Sequence, residues 1–521
     1  MSQAEQTAMR IGLNDELAGQ AAGLTVPDLF LQQVRLRPND VAITVAASGA
    51  TCAYAALNGR VNQLAHALRG LGIQRGERVA ILAENRPEYV ELVMAAAKLG
   101  AIVCCQNWRQ AEGELTHCIR LTTPRLAIVS PTHAGIFSRI DHGVPRTVLL
   151  GEEYEAMLAA QPSTEPPLAA LPEDGLLIIY TSGTTGLPKG AMISHRAEIA
   201  RMQTARIDLG LQPGEAFPAW PPMFHMASTD QAISVLCTGG KVIVMEGADP
   251  AQMAKVVAEE QLWWLILMPG MIDQLSAELR ERRVQPKGVR LIGAMADLVP
   301  LHQIAEITAL LQAPYLNTFG ATETGLPPAT GSQIPIGVVP ERLSKQVSSQ
   351  ATFRLVDAED NDVPDGTPGE LAMRGATLFS GYWNNPEANE KDFRGGWFHM
   401  GDMFVRNPDG SLDFVDRVKY LIKSGGENIY PAEIERVLLS DERVDDAIIV
   451  RKKDEKWGEV PVAFVARNDD SLTAEELIAR CRAELAGYKR PKEIHFVAVE
   501  DLPRSTTGKI QRHEVEKWLQ R

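Results

Sequence analysis

The stretch Tyr180-Thr-Ser-Gly-Thr-Thr-Gly-Leu-Pro-Lys-Gly190 decides how the rest of this sequence is interpreted. It follows Leu176-Leu-Ile-Ile179, a short apolar run that predicts a buried strand. After it, Ser194 stands where a helix N-cap is expected, with Glu198 in the first turn. Glycines let the backbone approach a polyphosphate closely, so that main-chain N–H groups and hydroxyls can point at its oxygens. Because Lys189 adds a positive charge, the stretch predicts a phosphate-binding loop between a strand and a helix.

This loop differs from two familiar phosphate-binding patterns. Lys189 is followed by Gly190, where a Walker loop has Ser or Thr, and the glycines do not follow the GxGxxG spacing. A Ser/Thr/Gly-rich linker is the alternative interpretation. The buried strand directly before the loop disfavours that alternative.

The composition is that of an acidic globular chain with more than one domain. Its 521 residues exceed what one hydrophobic core usually organises, so two or more domains are expected. The formal net charge of −14 and the lack of a basic stripe disfavour a general nucleic-acid binder. The six cysteines show no C-x-x-C spacing, which fits a reducing cytosol.

No targeting or membrane-spanning segment is expected from the sequence. The N-terminal region carries Glu5, Asp15 and Glu16 and has no apolar segment of the kind that signal peptides contain. The longest apolar run, Leu262 to Ile272, is too short to span a bilayer and contains Pro269-Gly270. The final Leu-Gln-Arg is not a peroxisomal address. We therefore expect a soluble cytoplasmic protein.

Strand-like and helix-like patterns alternate between residues 24 and 110. They predict strands at Val41–Val45 and Arg78–Leu82, and helices over Tyr54–Leu71 and Pro87–Leu99, the second ending at Gly100. Strands that alternate with helices of this length are typical of a parallel sheet flanked by helices. The pattern predicts an α/β fold.

The pattern changes in the C-terminal part of the chain. From Ala351 onward, short alternating strands and turns predict a small antiparallel subdomain. A compact α+β unit is expected beyond Pro431. There, Thr473 and Glu476 have the spacing of a capping box for a helix that reaches Ala486.

Leu316-Asn-Thr-Phe-Gly-Ala-Thr-Glu-Thr-Gly325 is the second strong signal. Phe319 offers a stacking face, the following glycine allows close approach, and Glu323 supplies a carboxylate. ATP needs a divalent cation, and Mg²⁺ takes few protein carboxylates while it keeps phosphate oxygens and waters. Glu323 is therefore a candidate Mg²⁺ ligand, and Phe319 a candidate for adenine contact. A strand end followed by a plain turn is the alternative.

These two stretches resemble the phosphate loop and a second motif of the adenylate-forming superfamily. That superfamily includes acyl-CoA synthetases, firefly luciferase and the adenylation domains of peptide synthetases. The resemblance extends over nearly the whole chain, since Gly381-Tyr-Trp383, Trp397–Asp402 and Pro503–Ile510 follow in the family's order. It implies that ATP and a carboxylic acid give an acyl-adenylate and pyrophosphate, and that the acyl group is then transferred.

The resemblance also implies the domain organisation. Residues 1–416 are expected to form an N-terminal AMP-binding domain of parallel sheets flanked by helices, together with a small β-barrel-like subdomain. Residues 417–521 are expected to form a mobile α+β lid, with its hinge near Lys419. A lid with two positions would exclude water during adenylation and then admit a thiol.

The family's site residues carry over to matching positions of this sequence. The implied catalytic residues are Lys509, His225 and Glu323, and the implied Mg²⁺ ligands are Glu323 and Thr184. The implied contacts with ATP and coenzyme A come from Thr181, Ser182, Gly183, Thr184, Thr185, Gly186, Lys189, Gly293, Ala294, Phe319, Gly320, Thr322, Asp402, Arg417, Lys423, Ser424, Gly425 and Gly426. The implied acyl pocket includes Met226, Met268, Met295 and Ala321.

Two positions depart from the family pattern, and two segments have structural alternatives. Phe319 replaces the usual Tyr and keeps only its ring, and Met400 replaces the usual Thr but leaves Asp402 in place. From the pattern alone, Pro221–Met226 could be a packed corner and Ser424–Glu427 a plain hairpin turn.

The reaction predicted is that of an acyl-CoA synthetase, in which a carboxylic acid, ATP and coenzyme A give acyl-CoA, AMP and pyrophosphate. Coenzyme A is favoured over a carrier protein as acceptor because no carrier domain follows the ligase region. A luciferase-like oxidase, a carrier-protein acyl ligase, a phosphotransferase that releases ADP and a non-catalytic nucleotide-binding regulator are the alternatives. The oligomeric state is left open, with a homodimer as one alternative.

The predicted substrate is a monocarboxylic acid with an uncharged, largely apolar tail, either a fatty acid or a cyclic acid. The segment from Phe217 to Gln231 contains no Lys or Arg and only one acid, Asp230. A short dicarboxylate would normally need a positive partner in the pocket. The residues implied for the pocket offer none.

Lys509 supplies the first testable prediction. The resemblance implies that its ammonium bridges the attacking carboxylate and the α-phosphate, where negative charge accumulates. Loss of one such contact typically costs about 10²–10³ in rate. Lys509→Ala should therefore lose pyrophosphate formation but still convert supplied acyl-adenylate and coenzyme A into acyl-CoA. If the variant adenylates at nearly the wild-type rate, Lys509 is only a surface charge.

Overall fold

A computed structural model of the protein describes residues 21–181, 187–268, 270–425, 427–504 and 510–520. The chain divides into two compact units. The N-terminal unit consists of Met1–Thr352 and Arg374–Lys391, and the C-terminal unit consists of Phe353–Met373 and Asp392–Arg521. The predicted boundary at residue 416 falls inside the second of these units and stays a prediction.

The first sheet of the N-terminal unit has eight strands. In spatial order they are Ser332–Ile334 (β16), Tyr315–Asn317 (β13), Val289–Ile292 (β12), Leu262–Leu265 (β11), Ala216–Ala219 (β9), Lys241–Val244 (β10), Val41–Val45 (β1) and Thr51–Ala53 (β2). The six inner strands pair in parallel, and only the edge strands β16 and β2 pair antiparallel. Inner strands such as β9 and β11 are buried along their whole length, as expected for a parallel sheet covered on both faces.

The second sheet contains the strand that leads into the predicted phosphate loop. Its spatial order is Thr147–Leu149 (β6), Leu126–Val129 (β5), Arg78–Leu82 (β3), Ile102–Cys105 (β4), Gly175–Thr181 (β7) and Lys189–Ser194 (β8). The predicted buried strand is confirmed as part of β7. The antiparallel strand β8 was not predicted, because Lys189-Gly-Ala-Met-Ile-Ser194 is short and directly follows the glycine-rich stretch. A short hairpin, Gly320–Ala321 (β14) with Gly325–Pro328 (β15), completes the strands of this unit.

Helices pack on both sheets. They are Val26–Leu36 (α1), Tyr54–Gly70 (α2), Pro87–Leu99 (α3), Glu112–Thr122 (α4), Pro131–Arg139 (α5), Glu152–Ala159 (α6), His195–Ile207 (α7), Met226–Thr238 (α8), Pro250–Glu259 (α9), Ile272–Glu281 (α10), Leu301–Leu311 (α11) and Pro386–Asp392 (α12). The prediction for α3 is confirmed at both ends, with Pro87 in the first turn and Gly100 in a left-handed conformation after the last residue. Ser194 caps α7 as predicted, since its Oγ accepts a hydrogen bond from the Ala197 amide. Among the described helices, none is long and apolar enough to cross a membrane.

The C-terminal unit contains two further sheets. The first is antiparallel, with Thr352–Val356 (β17), Gly369–Arg374 (β18), Phe398–Arg406 (β19) and Leu412–Arg417 (β20) in that order, and its described strands form an open sheet where a barrel-like subdomain was expected. The second contains Glu427–Ile429 (β22), Ile422–Ser424 (β21), Gly458–Arg467 (β24) and Val444–Asp454 (β23), with Glu493–Val497 (β25) also paired to β24. Its helices are Pro431–Leu438 (α13), Ala474–Glu484 (α14) and Arg512–Glu516 (α15). The predicted capping box of α14 is present, although the helix ends two residues before Ala486.

His195, the first residue of α7, is fully buried beside α1. Its Nδ1 accepts a hydrogen bond from the Val26 amide at 3.3 Å. Burial lowers the pKa of the His195 imidazole to about 4. The ring is therefore neutral in the folded protein at pH values at which an unfolded histidine is already protonated.

The second testable prediction is a pH-dependent loss of stability that depends on His195. An unfolded histidine has a pKa of about 6.5, so the stabilising contribution of the neutral ring is complete above that pH. It is lost as the pH falls from about 6.5 towards 4, by at most about 1.4 kcal/mol per pH unit. Between pH 7.5 and 5, the melting temperature of His195→Gln should therefore fall less than that of the wild-type protein. His302→Gln, on an exposed histidine, is the matched control and should retain the wild-type dependence.

Candidate active site

Most of the predicted site residues of the N-terminal unit follow the carboxyl ends of parallel strands. His225 comes after β9, Met268 after β11, Gly293–Met295 after β12 and Phe319–Glu323 after β13. These strands pair in parallel, with Leu265 opposite Ile292 and Ile292 opposite Tyr315. The loops therefore leave the sheet at the same edge. Ligands of open α/β sheets bind in the crevice at that edge.

The segment Gly293–Met295, predicted to contact adenine, is fixed by two buried aromatic side chains. Gly293 has a φ of +81°, and a Cβ at this position would lie 2.2 Å from Cζ of Tyr315. Trp264 Nε1 donates a hydrogen bond to the Gly293 carbonyl at 2.8 Å, and the Tyr315 hydroxyl donates to the Ala294 carbonyl at 2.9 Å. Only glycine fits between the backbone and the Tyr315 ring, so the path of this buried segment is fixed by its contact with that ring.

The turn that carries Glu323 is held by several hydrogen bonds. The Thr324 hydroxyl accepts from the Ala321 amide at 2.9 Å, and the Glu323 carbonyl accepts from the Phe379 amide at 2.9 Å. Phe319 is half-buried and Gly320 is exposed, whereas Thr322 is buried. Thr322, which was predicted to contact the cofactor, is thus less accessible than Phe319 and Gly320.

Lys189 and Glu323 both contact one aromatic side chain, that of Tyr382. The Lys189 Nζ is 3.5 Å from the centroid of the Tyr382 ring, and the Tyr382 hydroxyl donates to Oε1 of Glu323 at 2.9 Å. The structure thus brings together a residue that flanks the phosphate loop and the candidate metal ligand, which are far apart in sequence. Tyr382 was not predicted as a site residue, although Gly381-Tyr-Trp383 contributed to the family resemblance.

The two ends of the predicted phosphate loop lie next to each other. Thr181, the last residue of β7, is paired with Lys189, the first residue of β8. The predicted contacts Ser182, Gly183, Thr184, Thr185 and Gly186 lie outside the described residues. The loop is therefore closed at its base by an antiparallel pair of strands.

His225 stands at the N-cap of α8. Its Nδ1 accepts a hydrogen bond from the Ala227 amide at 3.1 Å, which leaves the ring proton on Nε2 when the imidazole is neutral. The ring therefore presents an N–H group on the side away from the helix backbone.

The loop before His225 is held by Asn85. The side-chain amide of Asn85 donates to the Pro221 carbonyl at 2.8 Å, and its oxygen accepts from the Met223 amide at 2.8 Å. The same amide nitrogen lies within hydrogen-bonding distance of three further carbonyls, those of Ala219, Trp220 and Met245. Asn85 was not predicted, because a single asparagine after a strand forms no recognisable pattern.

The predicted pocket residues differ in accessibility. Met226 is buried, while Met268, Met295 and Ala321 are half-buried. Met295 has a φ of +47°, and its amide donates to Oγ1 of Thr318 at 2.9 Å. Three of the four residues therefore retain some exposed surface in the loops that follow the carboxyl ends of the parallel strands.

In the C-terminal unit, the predicted ribose-binding residues face each other across two strands. Asp402 on β19 is paired with Arg417 on β20, and Nε of Arg417 donates to Oδ1 of Asp402 at 3.1 Å. The Asp402 side chain is 5% exposed and that of Arg417 is 45% exposed. The arginine thus covers the carboxylate and extends to the surface.

The predicted hinge and thioester loop follow directly. Lys419 lies exposed in a short 3₁₀ turn, Val418–Tyr420, and its carbonyl accepts a hydrogen bond from Arg451. Lys423 is exposed and Ser424 is buried in the hairpin strand β21. Gly425 has a φ of +59°, and its amide donates to the carbonyl of Trp457. Gly426 and Lys509 lie outside the described residues.

Comparison with known proteins identifies relatives over nearly the full length of the chain. Residues 30–383 match the AMP-binding enzyme family, and residues 433–509 match the AMP-binding enzyme C-terminal domain. The chain is 33% identical over 492 residues to a feruloyl-CoA synthase of Amycolatopsis sp.. This alignment covers 94% of this chain and 97% of that protein. It is 31% identical over 516 residues to a 2-succinylbenzoate–CoA ligase of Geobacillus sp. (strain WCH70). That alignment covers 95% of this chain and 98% of the relative.

A solved structure supports the same assignment. ATP-bound MatB from Rhodopseudomonas palustris is similar with a TM-score of 0.84 and 25% sequence identity, over 95% of this chain and 100% of that chain. The predicted α/β fold with a smaller C-terminal part is thereby confirmed. Because the family model matches residues 30–383 and the C-terminal model matches residues 433–509, the chain belongs to the AMP-binding enzyme family.

Proposed function

We propose that this protein is an AMP-forming acid–CoA ligase, which converts a carboxylic acid, ATP and coenzyme A into acyl-CoA, AMP and pyrophosphate. The observation that carries the proposal is the cluster of Lys189, Tyr382 and Glu323 beside the phosphate loop. Relatives that match over nearly the whole chain are named CoA ligase and CoA synthase, and neither name is that of an oxidase. The luciferase-like alternative is therefore not favoured.

The first half-reaction joins two negatively charged groups. The carboxylate of the acid attacks the α-phosphate, and pyrophosphate leaves. Lys189 stands at the end of the phosphate loop, where its charge can stabilise the phosphate oxygens, and the proposed role of Lys509 is to bridge the carboxylate and the α-phosphate. Fixed positive charges in a site that excludes water lower such a barrier more than the same charges do in solution.

Glu323 fits the requirements of a Mg²⁺ ligand. Its carboxylate is half-buried at the turn, and the Tyr382 hydroxyl orients one of its oxygens. A Mg²⁺ ion bound to ATP commonly takes one or two protein carboxylates, and it would neutralise charge on the phosphates. Thr184 is proposed as a second ligand from the family resemblance.

The nucleoside is proposed to contact two groups of residues. Adenine would lie beside the segment of Gly293 and Ala294 and contact the half-buried Phe319 ring. Asp402 would accept hydrogen bonds from the ribose hydroxyls, since a carboxylate has acceptor sites for both. Arg417, which already donates to Asp402, would keep this carboxylate oriented.

The second half-reaction is proposed to follow a rotation at Lys419. Residues 417–521 would then act as the lid, and Lys423, Ser424, Gly425 and Gly426 would line the path of the coenzyme A thiol. The thiolate attacks the acyl carbonyl, and AMP leaves. The loop has no large side chain from Ser424 to Gly426, which fits a narrow path for the pantetheine arm.

The proposed substrate is a monocarboxylic acid with an apolar tail, and among such acids the aromatic ones are favoured. Feruloyl and 2-succinylbenzoate, in the names of the two relatives, both contain an aromatic ring, but 2-succinylbenzoate has two carboxylates, so the names support the ring and not the uncharged tail. The segment from Phe217 to Gln231, which includes the first turn of α8, carries one acidic residue and no Lys or Arg. That residue is Asp230 on α8, whose carboxylate is paired with Arg201 at 2.9 Å. That ion pair is internally neutral, so it offers no unpaired charge to a second carboxylate on the substrate.

The third testable prediction concerns products and substrate class. With ATP and coenzyme A, the protein should form AMP and pyrophosphate, not ADP. In a panel of ferulate, indole-3-acetate, decanoate, malonate and succinate, the kcat/KM of the best apolar acid should exceed that of both dicarboxylates by at least about 10-fold, because a buried uncompensated carboxylate costs several kcal/mol. A preference for malonate or succinate would refute the substrate class, and release of ADP would refute the ligase reaction.

The fourth testable prediction concerns Tyr382. Tyr382→Phe keeps the ring beside Lys189 but removes the hydrogen bond to Glu323. A hydrogen bond to a charged group contributes about 1.5–3 kcal/mol, so kcat/KM for Mg·ATP in adenylation should fall by about 10- to 100-fold. Tyr488→Phe, on an exposed tyrosine beside Lys489, is the matched control and should leave adenylation unchanged. If Tyr382→Phe keeps the wild-type requirement for Mg²⁺, the orientation of Glu323 by Tyr382 does not matter for the reaction.

A further inference from the structure

A cluster of charged side chains is buried between α7 and α8. Arg201 on α7 and Asp230 on α8 are each 2% exposed at the side chain, and Glu198 is fully buried. Nη1 of Arg201 lies 2.9 Å from Oδ2 of Asp230 and 3.9 Å from Oε1 of Glu198. Removing charges from water is expensive, and an apolar pair of similar volume is often as stable. Stability alone therefore does not explain why this position has an arginine.

The cluster is balanced in charge. Burial raises the pKa of the Glu198 carboxyl well above its usual range, and the neighbouring Asp230 raises it further. Burial also raises the pKa of Asp230, which the neighbouring Arg201 lowers, so a proton in this cluster is favoured on Glu198 and not on Asp230. What remains is one ion pair between Arg201 and Asp230.

Two further nitrogens of Arg201 donate to backbone carbonyls, one of which lies in the turn that carries Glu323. Nη2 donates to the Thr322 carbonyl at 2.9 Å, and Nε donates to the Thr377 carbonyl at 3.2 Å. Gly325, at the end of the same turn, has a φ of +74°, and a Cβ there would lie 2.8 Å from Cγ of Arg201. The arginine therefore lies directly against the turn, and it leaves no room for a side chain at residue 325.

Arg201 thereby connects three parts of the proposed site. It is on α7, the helix that follows the phosphate loop and β8. Its ion-pair partner Asp230 is on α8, whose N-cap is His225, and its carbonyl partner Thr322 directly precedes Glu323. A guanidinium has N–H donors at fixed angles, so it can donate hydrogen bonds to a carboxylate and two carbonyls at the same time. A lysine ammonium on its flexible stem cannot reproduce this geometry.

We propose that Arg201 is a positioning residue for adenylation, which fixes the Thr322–Glu323 turn relative to α7 and which Asp230 on α8 holds in place. This role rests on the proposed ligase function. It does not involve contact between Arg201 and the substrates. Since a displacement of about 1 Å at a reacting group can cost about 10²-fold in rate, a shift of this turn would impair the first half-reaction.

The test uses the full-length protein and the double variant Arg201→Met/Asp230→Leu. This variant removes both buried charges together, so it leaves no unpaired charge behind. The loss of the donors to the Thr322 and Thr377 carbonyls should still lower its melting temperature moderately. We expect its adenylation kcat/KM for Mg·ATP to fall by up to about 100-fold, with a higher Mg²⁺ requirement. Conversion of supplied acyl-adenylate and coenzyme A to acyl-CoA should fall much less, because that step does not use Glu323 and its Mg²⁺, although the acyl-adenylate would contact the same turn through Phe319 and Ala321. A merely structural role would affect both half-reactions in parallel with the melting temperature.

Two single variants complete the test. Arg201→Lys keeps a cation beside Asp230 but loses the fixed contact with Thr322, so it should fold and still lose adenylation. Arg196→Met is the matched control: Arg196 is on the same helix and donates to the Ala376 and Leu378 carbonyls, but it makes no contact with Thr322 among the described hydrogen bonds. It should leave adenylation unchanged.

The outcomes distinguish this proposal from the proposed function. If the wild-type protein forms no AMP with any acid, the ligase function fails. If the wild-type protein is active and either folded Arg201 variant adenylates at the wild-type rate, the positioning role is overturned and the ligase function stands. Should the double variant fail to fold, Arg201→Lys decides the question. The quantity compared is then the loss in adenylation rate relative to the loss in the rate of acyl-CoA formation from supplied acyl-adenylate.

Discussion

The parallel pairing of β9, β11, β12 and β13 is the constraint on which the site depends. Parallel strands end at the same edge, and each crossover helix returns the chain to the opposite edge. Residues that are far apart in sequence, from His225 to Glu323, are thereby collected in one crevice. The strands themselves carry few polar side chains, so the sheet positions the chemistry but does not take part in it.

The loops at this edge are held by polar side chains that bond to backbone carbonyls. Asn85 holds the loop before His225, Trp264 and Tyr315 hold the adenine segment, and Arg201 holds the turn of Glu323. A buried carbonyl without a partner would cost about 1–3 kcal/mol, so each of these donors both stabilises the fold and restricts the loop to one conformation. Rigidity at the site thus arises from the groups behind the loops and not from the ligand contacts themselves.

The sequence was sufficient to predict the α/β fold, the helix α3 with its end at Gly100, the N-cap Ser194 and the capping box at Thr473. These features depend on local patterns, which a single sequence contains. Strand β8 was missed because it is short and adjoins a glycine-rich stretch. Tyr382, Asn85 and Arg201 were not predicted as site residues, since each acts through a partner that is distant in sequence, as Arg201 does on Thr322. No periodicity or spacing reports such a contact.

The hairpin of β7 and β8 has a consequence for how this loop can evolve. Because Thr181 is paired with Lys189, the base of the loop has a fixed register. An insertion or deletion of one residue within the loop could be absorbed by a slip of β8, but a slip by one residue turns every side chain of a strand to the opposite face. Lys189 would then leave the ring of Tyr382, and α7 would begin one residue out of place. A change in loop length that is transmitted to β8 would therefore remove the contact of Lys189 with Tyr382, whereas a change absorbed within the loop would leave the register of the hairpin intact.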